Sequence, residues 1–190
     1  MRGRVHINEA PADPNIHAMV RLQVEMLQEL GVDTLIATCA VGSLVPEFKP
    51  DTIVVADSFL TLFAPEMPMF VGEFDSPEDT LKEELIKMAV RVAVPGLRVH
   101  RGTHVMLRGP FFEGRKRDKT VLAMLGGRVV GMSLLPEACV MATRKQRVLG
   151  LCFVSNDADE EHSDEEISRR VRAKSDLLGA YLHRVVAAIE

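Results

Sequence analysis

Three short segments of this chain carry side chains that could hold a sugar and a flat heterocycle. They are 109–113 (Gly-Pro-Phe-Phe-Glu), 131–137 (Gly-Met-Ser-Leu-Leu-Pro-Glu) and 155–156 (Ser-Asn), and each follows an apolar run. An aromatic ring, a carboxylate, a thioether, a hydroxyl and an amide suit a hydroxylated sugar bearing a 6-oxopurine. Because ligands of open α/β sheets bind beyond strand ends, we expect these segments to meet at one edge of a sheet.

A fourth strand end, at 39–43, adds small residues and backbone amides to this set. The amides around Ala40 and the hydroxyl of Ser133 could donate hydrogen bonds to an anion. Taken singly, each residue has an ordinary structural interpretation. Met132 would be a core residue, Ser133 a turn or cap residue, and Glu113 the start of a helix. Only the joint pattern indicates a binding site.

The composition bounds the class of protein. The chain has 190 residues, 47% of them hydrophobic and 26% charged, which is typical of one globular domain spanning 1–190. A net charge of −4 and the absence of Trp argue against a nucleic-acid partner. The sequence contains no apolar run long enough to cross a membrane, and its first residues lack a signal-peptide pattern. We therefore expect a cytoplasmic protein.

The residue types that bind metals show no metal-binding spacing in this sequence. Cys39, Cys139 and Cys152 lie in apolar segments and are expected to be reduced core thiols, with a disulfide or a metal site as the alternatives. The run 157–166 contains seven acids and is expected to be a solvated loop entering the last helix; the alternative is a metal site. The basic triplet 115–117 is expected to be an exposed helix face and not a nucleic-acid patch. We therefore predict no metal site.

Apolar runs of strand type alternate with helical periodicities, which predicts an α/β fold. The predicted strands are 34–38, 52–56 (closed by Asp57), 97–107, 128–132 and 148–154. Five helices are predicted. The first is ended by Gly31 and has a buried face of Ile16, Met19, Val20, Leu27 and Leu30. The second is begun by Ser76 and has a buried stripe of Leu81, Leu85, Met88, Ala89 and Val92. The third spans 113–125, the fourth is opened by Pro136, and the fifth spans 164–189. Segment 63–74 is expected to be a loop covering another part of the protein.

Together these segments resemble the trimeric purine nucleoside phosphorylase and methylthioadenosine phosphorylase family, from Gly3 to the last helix. The segments that resemble family motifs are 3–6 (Gly-Arg-Val-His), 11–15, 38–44 (Thr-Cys-Ala-Val-Gly-Ser-Leu) and 50–54. The motifs most specific for the family are Gly-Pro-x-Phe-Glu at 109–113 and Gly-Met-Ser-x-x-Pro-Glu at 131–137. The resemblance implies a phosphorylase-like three-layer fold, with a central mixed sheet flanked by helices. It also implies phosphorolysis of nucleosides.

The resemblance further implies roles for individual residues. Those implied to bind are Arg4, His6, Ala40 and Ser133 for phosphate, Met132 for ribose, and Phe112, Glu113 and Asn156 for the base. Asn156 and His6 would be the catalytic residues, with Asn156 assisting the departing base at N7 and O6. Inorganic phosphate is the co-substrate, and no metal or organic cofactor is implied. By analogy the partner is another copy of the chain, in a trimer or a multiple of it.

The residues that would contact the base favour 6-oxopurines. The methylthioadenosine branch uses two aspartates toward the exocyclic amine, whereas this chain has Asn156 followed by Asp157 and Ala158. The expected substrates are inosine- or guanosine-type nucleosides. The 5′ substituent stays open, a hydroxyl or a methylthio group, because His162 and Asp164 both compete for the residue that contacts it.

Departures from the family pattern leave more than one function open. Family members carry a segment with a Gly-rich phosphate loop before the Arg-x-His string, but here Met1 stands three residues ahead of Arg4. Asn8 replaces an expected Tyr, and the loop at 63–74 is short. The fold is therefore expected to be trimmed at its N-terminus. We favour a phosphorylase; the alternatives are a non-catalytic nucleoside-binding or interaction subunit, and a fragment whose true start lies upstream.

Overall fold

The computed structural model describes residues 13–107, 116–157 and 164–189. Its helices are α1 (Pro14–Glu29), α2 (Glu83–Arg91), α3 (Lys116–Met124), α4 (Leu135–Thr143), α5 (Asp164–Ala173) and α6 (Ser175–Ile189). Its strands are β1 (Thr34–Ser43), β2 (Thr52–Leu60), β3 (Arg98–Met106), β4 (Val129–Gly131) and β5 (Arg147–Asn156). The predicted α/β fold with a central mixed sheet flanked by helices is confirmed. No helix in these ranges is long and apolar enough to span a bilayer.

The central sheet closes on itself in the order β1-β4-β3-β2-β5, with β5 pairing back to β1. The pairs β1–β5, β2–β3 and β3–β4 are parallel, whereas β1–β4 and β2–β5 are antiparallel. Among the described strands, β1 and β5 therefore run opposite to the other three. Strand direction alone does not give the one shared edge that we expected, because β4 runs antiparallel to β1. The ends of β1, β4 and β5 nevertheless lie close together, because the sheet closes with β1 between the other two strands and β4 has only three residues.

Apolar side chains pack on both faces of this closed sheet. Alternation along β2 puts Val54 and Ala56 in one core cluster with α1 and α4, and Ile53 and Val55 in a second cluster with α2 and α6. β2 and β5 are therefore buried on both faces, which explains their near-continuous apolar runs.

Helix α1 buries a different face from the one that its apolar residues predict. Asp13 caps the helix by accepting a hydrogen bond from the Asn15 amide at 2.9 Å, and Gly31 follows its end with φ +83°. The buried residues are His17, Val20, Val24 and Gln28. Met19 and Leu30 are 48% and 78% exposed, so their predicted burial is wrong. The buried face of α1 tolerates the polar side chain of Gln28 because its Nε2 donates a hydrogen bond to Gln146 Oε1 at 2.6 Å.

Two of the predicted helices are interrupted in the structure. Ser76 does cap a helical turn, accepting a hydrogen bond from the Glu78 amide at 3.3 Å, but that turn is a 3-10 helix over Pro77–Thr80. Leu81 then bridges to Val148 of β5, and α2 begins only at Glu83. The predicted helix 164–189 is two helices, α5 and α6. The sequence predicts Ile167, Val171, Leu178, Leu182, Val185 and Ile189 on one apolar side. All of these pack in the second cluster except Ile167, whose side chain lies outside the described residues.

Two further expectations concern β2 and the loop at 63–74. Asp57 does not end β2; the register with β3 shifts between Ala56 and Ser58, and the strand continues to Leu60.

The loop at 63–74 does cover another element, α1. Arg21 on that helix donates hydrogen bonds to the Met69 carbonyl and to Glu73, and its guanidinium lies 5.4 Å from the centroid of the Phe70 ring. One arginine therefore fastens the loop.

Candidate active site

A bulge at the end of β5 sets the position of Asn156. β1 and β5 are paired residue for residue up to Val41 and Val154, but the next pair is Gly42 with Asn156, so Ser155 is an extra residue. Consecutive side chains of a regular strand point to opposite faces. Here Ser155 and Asn156 are both 1% exposed, and Ser155 Oγ lies 2.9 Å from Asn156 Oδ1. The bulge therefore turns the Asn156 amide out of the regular alternation, as bulges beside active sites do.

The bulge is tied to its surroundings on both sides. Ser155 Oγ also lies 3.2 Å from the Val41 carbonyl oxygen, and its one proton can serve either acceptor. Arg170 of α5 donates from Nη1 to the Ser155 carbonyl at 3.0 Å, while its Nη2 lies 3.0 Å from Glu166 Oε1. α5 therefore fixes the end of β5. Sequence reasoning missed Arg170; the only signal was its i,i+4 spacing from Glu166.

Gly42 connects the ends of β4 and β5. It pairs with Asn156 on one side and with Val130 on the other. The two neighbours are thus separated by two strand spacings, roughly 10 Å. β4 ends one residue later at Gly131, where an added Cβ would lie 3.1 Å from Val41 Cγ1. The absence of a side chain lets β4 end directly against β1.

Met132 and Ser133 follow at this junction. An added Cβ on Gly131 would lie 3.6 Å from the Ala40 carbonyl oxygen, so Met132 leaves β4 beside Ala40. Met132 and Ser133 are half-buried, and Ala40 is exposed. Closure of the sheet therefore brings Ala40, Met132, Ser133 and Asn156 around the last residues of β1.

A strained turn follows Ser133. The Leu135 amide donates to the Ser133 carbonyl at 2.9 Å, and Leu134 has φ +73° and ψ −51°. These angles define a γ-turn of the rare, strained type. Leu134 is completely buried, and this burial stabilises the turn. Strain of this kind is concentrated at binding and catalytic sites, and here it holds Ser133 between β4 and α4.

The first turn of α4 also carries a buried acid. Glu137 is 5% exposed, at the helix end whose positive partial charge favours a carboxylate. An anion at this site would consequently be bound by the Ser133 hydroxyl and by amides near Ala40, and not by the first turn of α4. Ser43, at the end of β1, is not available either. Its hydroxyl donates to the Val45 carbonyl at 2.6 Å and is 3.2 Å from the Val45 amide nitrogen.

Four predicted site residues, Arg4, His6, Phe112 and Glu113, lie outside the described residues. Leu107, the last described residue before position 108, donates its amide to the Gly131 carbonyl at 3.0 Å. The acidic run is described at its two ends only. There Asp157 pairs with Lys49 at 3.4 Å and Glu166 with Arg170 at 3.0 Å. Of the basic triplet, Lys116 and Arg117 are exposed, as predicted, and Arg115 lies outside the described residues.

A cavity of about 180 Å³ adjoins Ala40 on the outer face of the sheet. It lies under α5 and α6, and its walls include Phe153, Val171 and Leu182. Such an apolar lining does not suit phosphate, and the volume is below that of an ordinary ligand pocket. Only Ala40 is shared with the predicted site. We therefore place the candidate site at the junction of β1, β4 and β5, and not in this cavity.

The cysteines lie in the core region, as predicted. Cys39 and Cys152 are buried and Cys139 is half-buried, and burial raises the pKa of the Cys139 thiol to about 11. The spacing of the cysteines along the chain gave no indication that Cys39 and Cys152 would become neighbours. They are paired across β1 and β5, with their sulfur atoms 3.5 Å apart.

Comparison with known proteins defines the class to which this chain and its fold belong. The family model of the phosphorylase superfamily matches residues 14–187. The chain belongs to this superfamily, on the purine nucleoside and methylthioadenosine phosphorylase side of it.

The particular relatives are enzymes with different substrates. The 6-oxopurine nucleoside phosphorylase of Pyrococcus furiosus is 34% identical, over 71% of this chain and 54% of its own length. The S-methyl-5′-thioadenosine phosphorylase of Pyrococcus horikoshii is 35% identical, over 71% and 52%. The chain spans between about half and two thirds of the length of the first curated relatives that it matches. A Schistosoma purine nucleoside phosphorylase in complex with guanosine is 25% identical, with TM-score 0.82 over 98% of this chain and 72% of that one.

Proposed function

We propose that this protein catalyses the phosphorolysis of 6-oxopurine nucleosides to the free base and ribose 1-phosphate. The observation that carries the proposal is the bulge that buries Ser155 and Asn156 together beside Gly42. A bulge that buries a hydrogen-bonded carboxamide at a strand end is costly to maintain for packing alone. The NH2 group of a carboxamide offers two N–H donors, which match N7 and O6 of a 6-oxopurine nucleoside because both of these atoms are acceptors.

In this proposal the reaction begins as the bond between the anomeric carbon and the base lengthens. Its electron pair moves onto the base, and the sugar takes on oxocarbenium character. A phosphate oxygen then bonds to the anomeric carbon. Asn156 donates to N7 as negative charge develops on the base, while phosphate lies against the cationic sugar. Both contacts are stronger in the transition state than in the ground state, so both accelerate the reaction.

The remaining roles in the proposal follow the same arrangement. Ser133 and the Ala40 amide bind phosphate, together with Arg4 and His6. Met132 packs under the ribose. Phe112 stacks on the base and Glu113 accepts the N1 hydrogen. The roles given to Ala40, Met132, Ser133 and Asn156 are supported by the positions of these four residues around the end of β1. The proposed reaction needs no metal or organic cofactor.

The preference for 6-oxopurines is supported by the amide at position 156. A donor facing O6 satisfies that oxygen, whereas a 6-amino group would meet it donor to donor. A buried polar mismatch of this kind costs about 1–3 kcal/mol, or roughly 5- to 150-fold in specificity. Sequence identity alone does not separate the two substrate classes, because relatives from both are equally similar.

The direct test is base release. The protein is incubated with inosine or guanosine, with and without phosphate, and free base is measured by chromatography. Phosphate-dependent release supports the proposal. Nucleoside binding without release would indicate a binding subunit and refute catalysis by this chain.

Asn156→Asp tests the assigned residue. We expect kcat/KM for inosine to fall by at least about 100-fold, because one transition-state donor is lost. The ratio of adenosine to inosine turnover should rise, since a carboxylate accepts from the 6-amino group. Asn15→Asp, on an exposed part of α1, is the matched control and should leave both rates unchanged. Equal effects of the two substitutions would remove Asn156 from the site.

A further inference from the structure

A three-residue cluster lies inside the closed sheet, behind the candidate site. Cys39 of β1 and Cys152 of β5 are paired, and His104 comes from β3, which borders neither of these strands. One ligand-type atom from each of the three lies within 4.8 Å of the other two. Three atoms this close share a point no more than about 2.8 Å from each, which is 4.8 Å divided by √3. Zinc–sulfur and zinc–nitrogen bonds are about 2.3 and 2.1 Å long, so small rotamer changes would complete the coordination.

His104 provides an independent indication of a ligand. Its side chain is fully buried, and within the described residues neither ring nitrogen has a hydrogen-bond partner. Its recorded ring contact is with Phe59, whose ring centroid lies 6.1 Å away. Buried polar groups in native proteins are nearly always satisfied, and one that is not requires an explanation. A metal ion between His104 and the two sulfur atoms supplies a partner for a ring nitrogen.

We propose that Cys39, Cys152 and His104 bind one structural Zn²⁺ ion inside the closed sheet. Zinc prefers thiolate and imidazole ligands, and the fourth position would be taken by water or a backbone oxygen. Binding displaces the two thiol protons to solvent. The two thiolates then balance the two charges of the ion, so the complex is neutral and suits an apolar interior.

The geometry favours this site over a disulfide. The sulfur atoms are 3.5 Å apart, close to the edge of a zinc tetrahedron and well beyond the 2.05 Å of a disulfide bond. A disulfide would also need an oxidant and would leave His104 without a role. Zinc, in contrast, links β1 and β5 to β3 across the interior. Because Cys39 directly precedes Ala40, the ion would also hold the proposed phosphate-binding part of β1 in place.

Cobalt substitution tests the site. The protein is purified under reducing conditions, stripped with a chelator, and titrated with Co²⁺. Its d–d bands report tetrahedral coordination, and its thiolate charge-transfer band appears only when sulfur binds it. We expect these bands to saturate at one ion per chain, Zn²⁺ to bleach them, and Zn²⁺ to raise the melting temperature. Folded wild-type protein that gives no thiolate–cobalt band overturns the proposal, and this measurement needs no variant.

Variants locate the ligands. Cys39→Ser, Cys152→Ser and His104→Gln should each weaken metal binding by at least about 100-fold, with circular dichroism used to verify folding. Cys139→Ser and His183→Gln are matched controls outside the cluster and should bind as the wild type does. Wild-type binding by the Cys39→Ser/Cys152→Ser double variant overturns the proposal. So does recovery of Cys39 and Cys152 as a disulfide from the zinc-loaded protein. Base release is scored separately, so failure of the zinc site leaves the proposed activity untouched.

Discussion

The side chain of Leu134 lies over Gly150, so closely that a Cβ added to Gly150 would come within 2.8 Å of Leu134 Cδ2. Leu134 is the central residue of the strained turn after Ser133, and Gly150 is in the middle of β5. The site-forming turn is therefore held by a glycine 16 residues later in the sequence. β5 contributes twice to the site: Gly150 accommodates the turn, and Asn156 follows the bulge.

We predict that Gly150→Ala destabilises the protein by about 1–3 kcal/mol, because the added methyl group overpacks a buried contact. Ala56 Cβ, 3.1 Å away, blocks an alternative position. Chemical denaturation measures the change. Gly179→Ala in α6 is the control, since an added Cβ there meets nothing within 4 Å; it should be neutral or stabilising by up to about 1 kcal/mol. Similar losses in both variants would contradict the packing argument.

Tyr181 joins α6 to α2 and is the only tyrosine in the chain. It is fully buried, and its hydroxyl donates to the Ala89 carbonyl at 2.9 Å. Tyr181→Phe leaves that carbonyl without this donor, and we expect a loss of about 1–2 kcal/mol in the free energy of unfolding. A loss below the error of the denaturation measurement would show that the hydrogen bond contributes nothing net.

Burial raises the pKa of Tyr181 above its ordinary value. A raised folded pKa means that the neutral phenol stabilises the fold fully below the unfolded pKa, about 10, and that this contribution is lost as the pH rises above it. With no Trp and one Tyr, ultraviolet absorbance follows this group directly. Phenolate should appear only well above pH 10 or together with unfolding. A reversible titration near pH 10 in folded protein would contradict the buried position.

Arg21 should control the loop at 63–74. Hydrogen bonds from Arg21 hold the pKa of Glu73 below its usual range. The contact thus stabilises the loop fully above the unfolded Glu pKa, about 4.3, and is lost as the pH falls through the lower folded value. Arg21→Gln should accelerate proteolysis within the loop at neutral pH, whereas Arg117→Gln, at an exposed position on α3, should not. Equal cleavage of both variants would remove Arg21 as the fastening residue.

We propose that the exposed side of α1 is an interface in the homo-oligomer that the family resemblance implies. Met19, Leu22, Met26 and Leu30 recur at helical spacing and are 48–78% exposed. Such a stripe on a helix indicates a protein interface. We expect Leu22→Glu/Met26→Lys, which leaves the net charge unchanged, to lower the molar mass measured by light scattering. An unchanged mass, or a monomeric wild type, would exclude this face as the interface.

The sequence alone determined the fold class, the approximate strand positions and the family. Long apolar runs predict buried strands because a sheet covered on both faces has no polar alternation, and this held for β2 and β5. Motifs such as Gly-Met-Ser-x-x-Pro-Glu could be read because they are contiguous in the chain. The helix breaks and the buried face of α1 could not be predicted from the sequence. They depend on long-range contacts such as Leu81 with Val148 and Gln28 with Gln146.

Only the tertiary structure decided how the candidate site is assembled. The register that makes Ser155 an extra residue, and the antiparallel joint that sets Gly131 beside Ala40, both arise from sheet closure. Local sequence does not encode strand order, because many closures of the same strands are sterically possible and global packing selects one. The same reason explains why His104 meets Cys39 and Cys152: the three residues are far apart in the chain and become neighbours only inside the closed sheet.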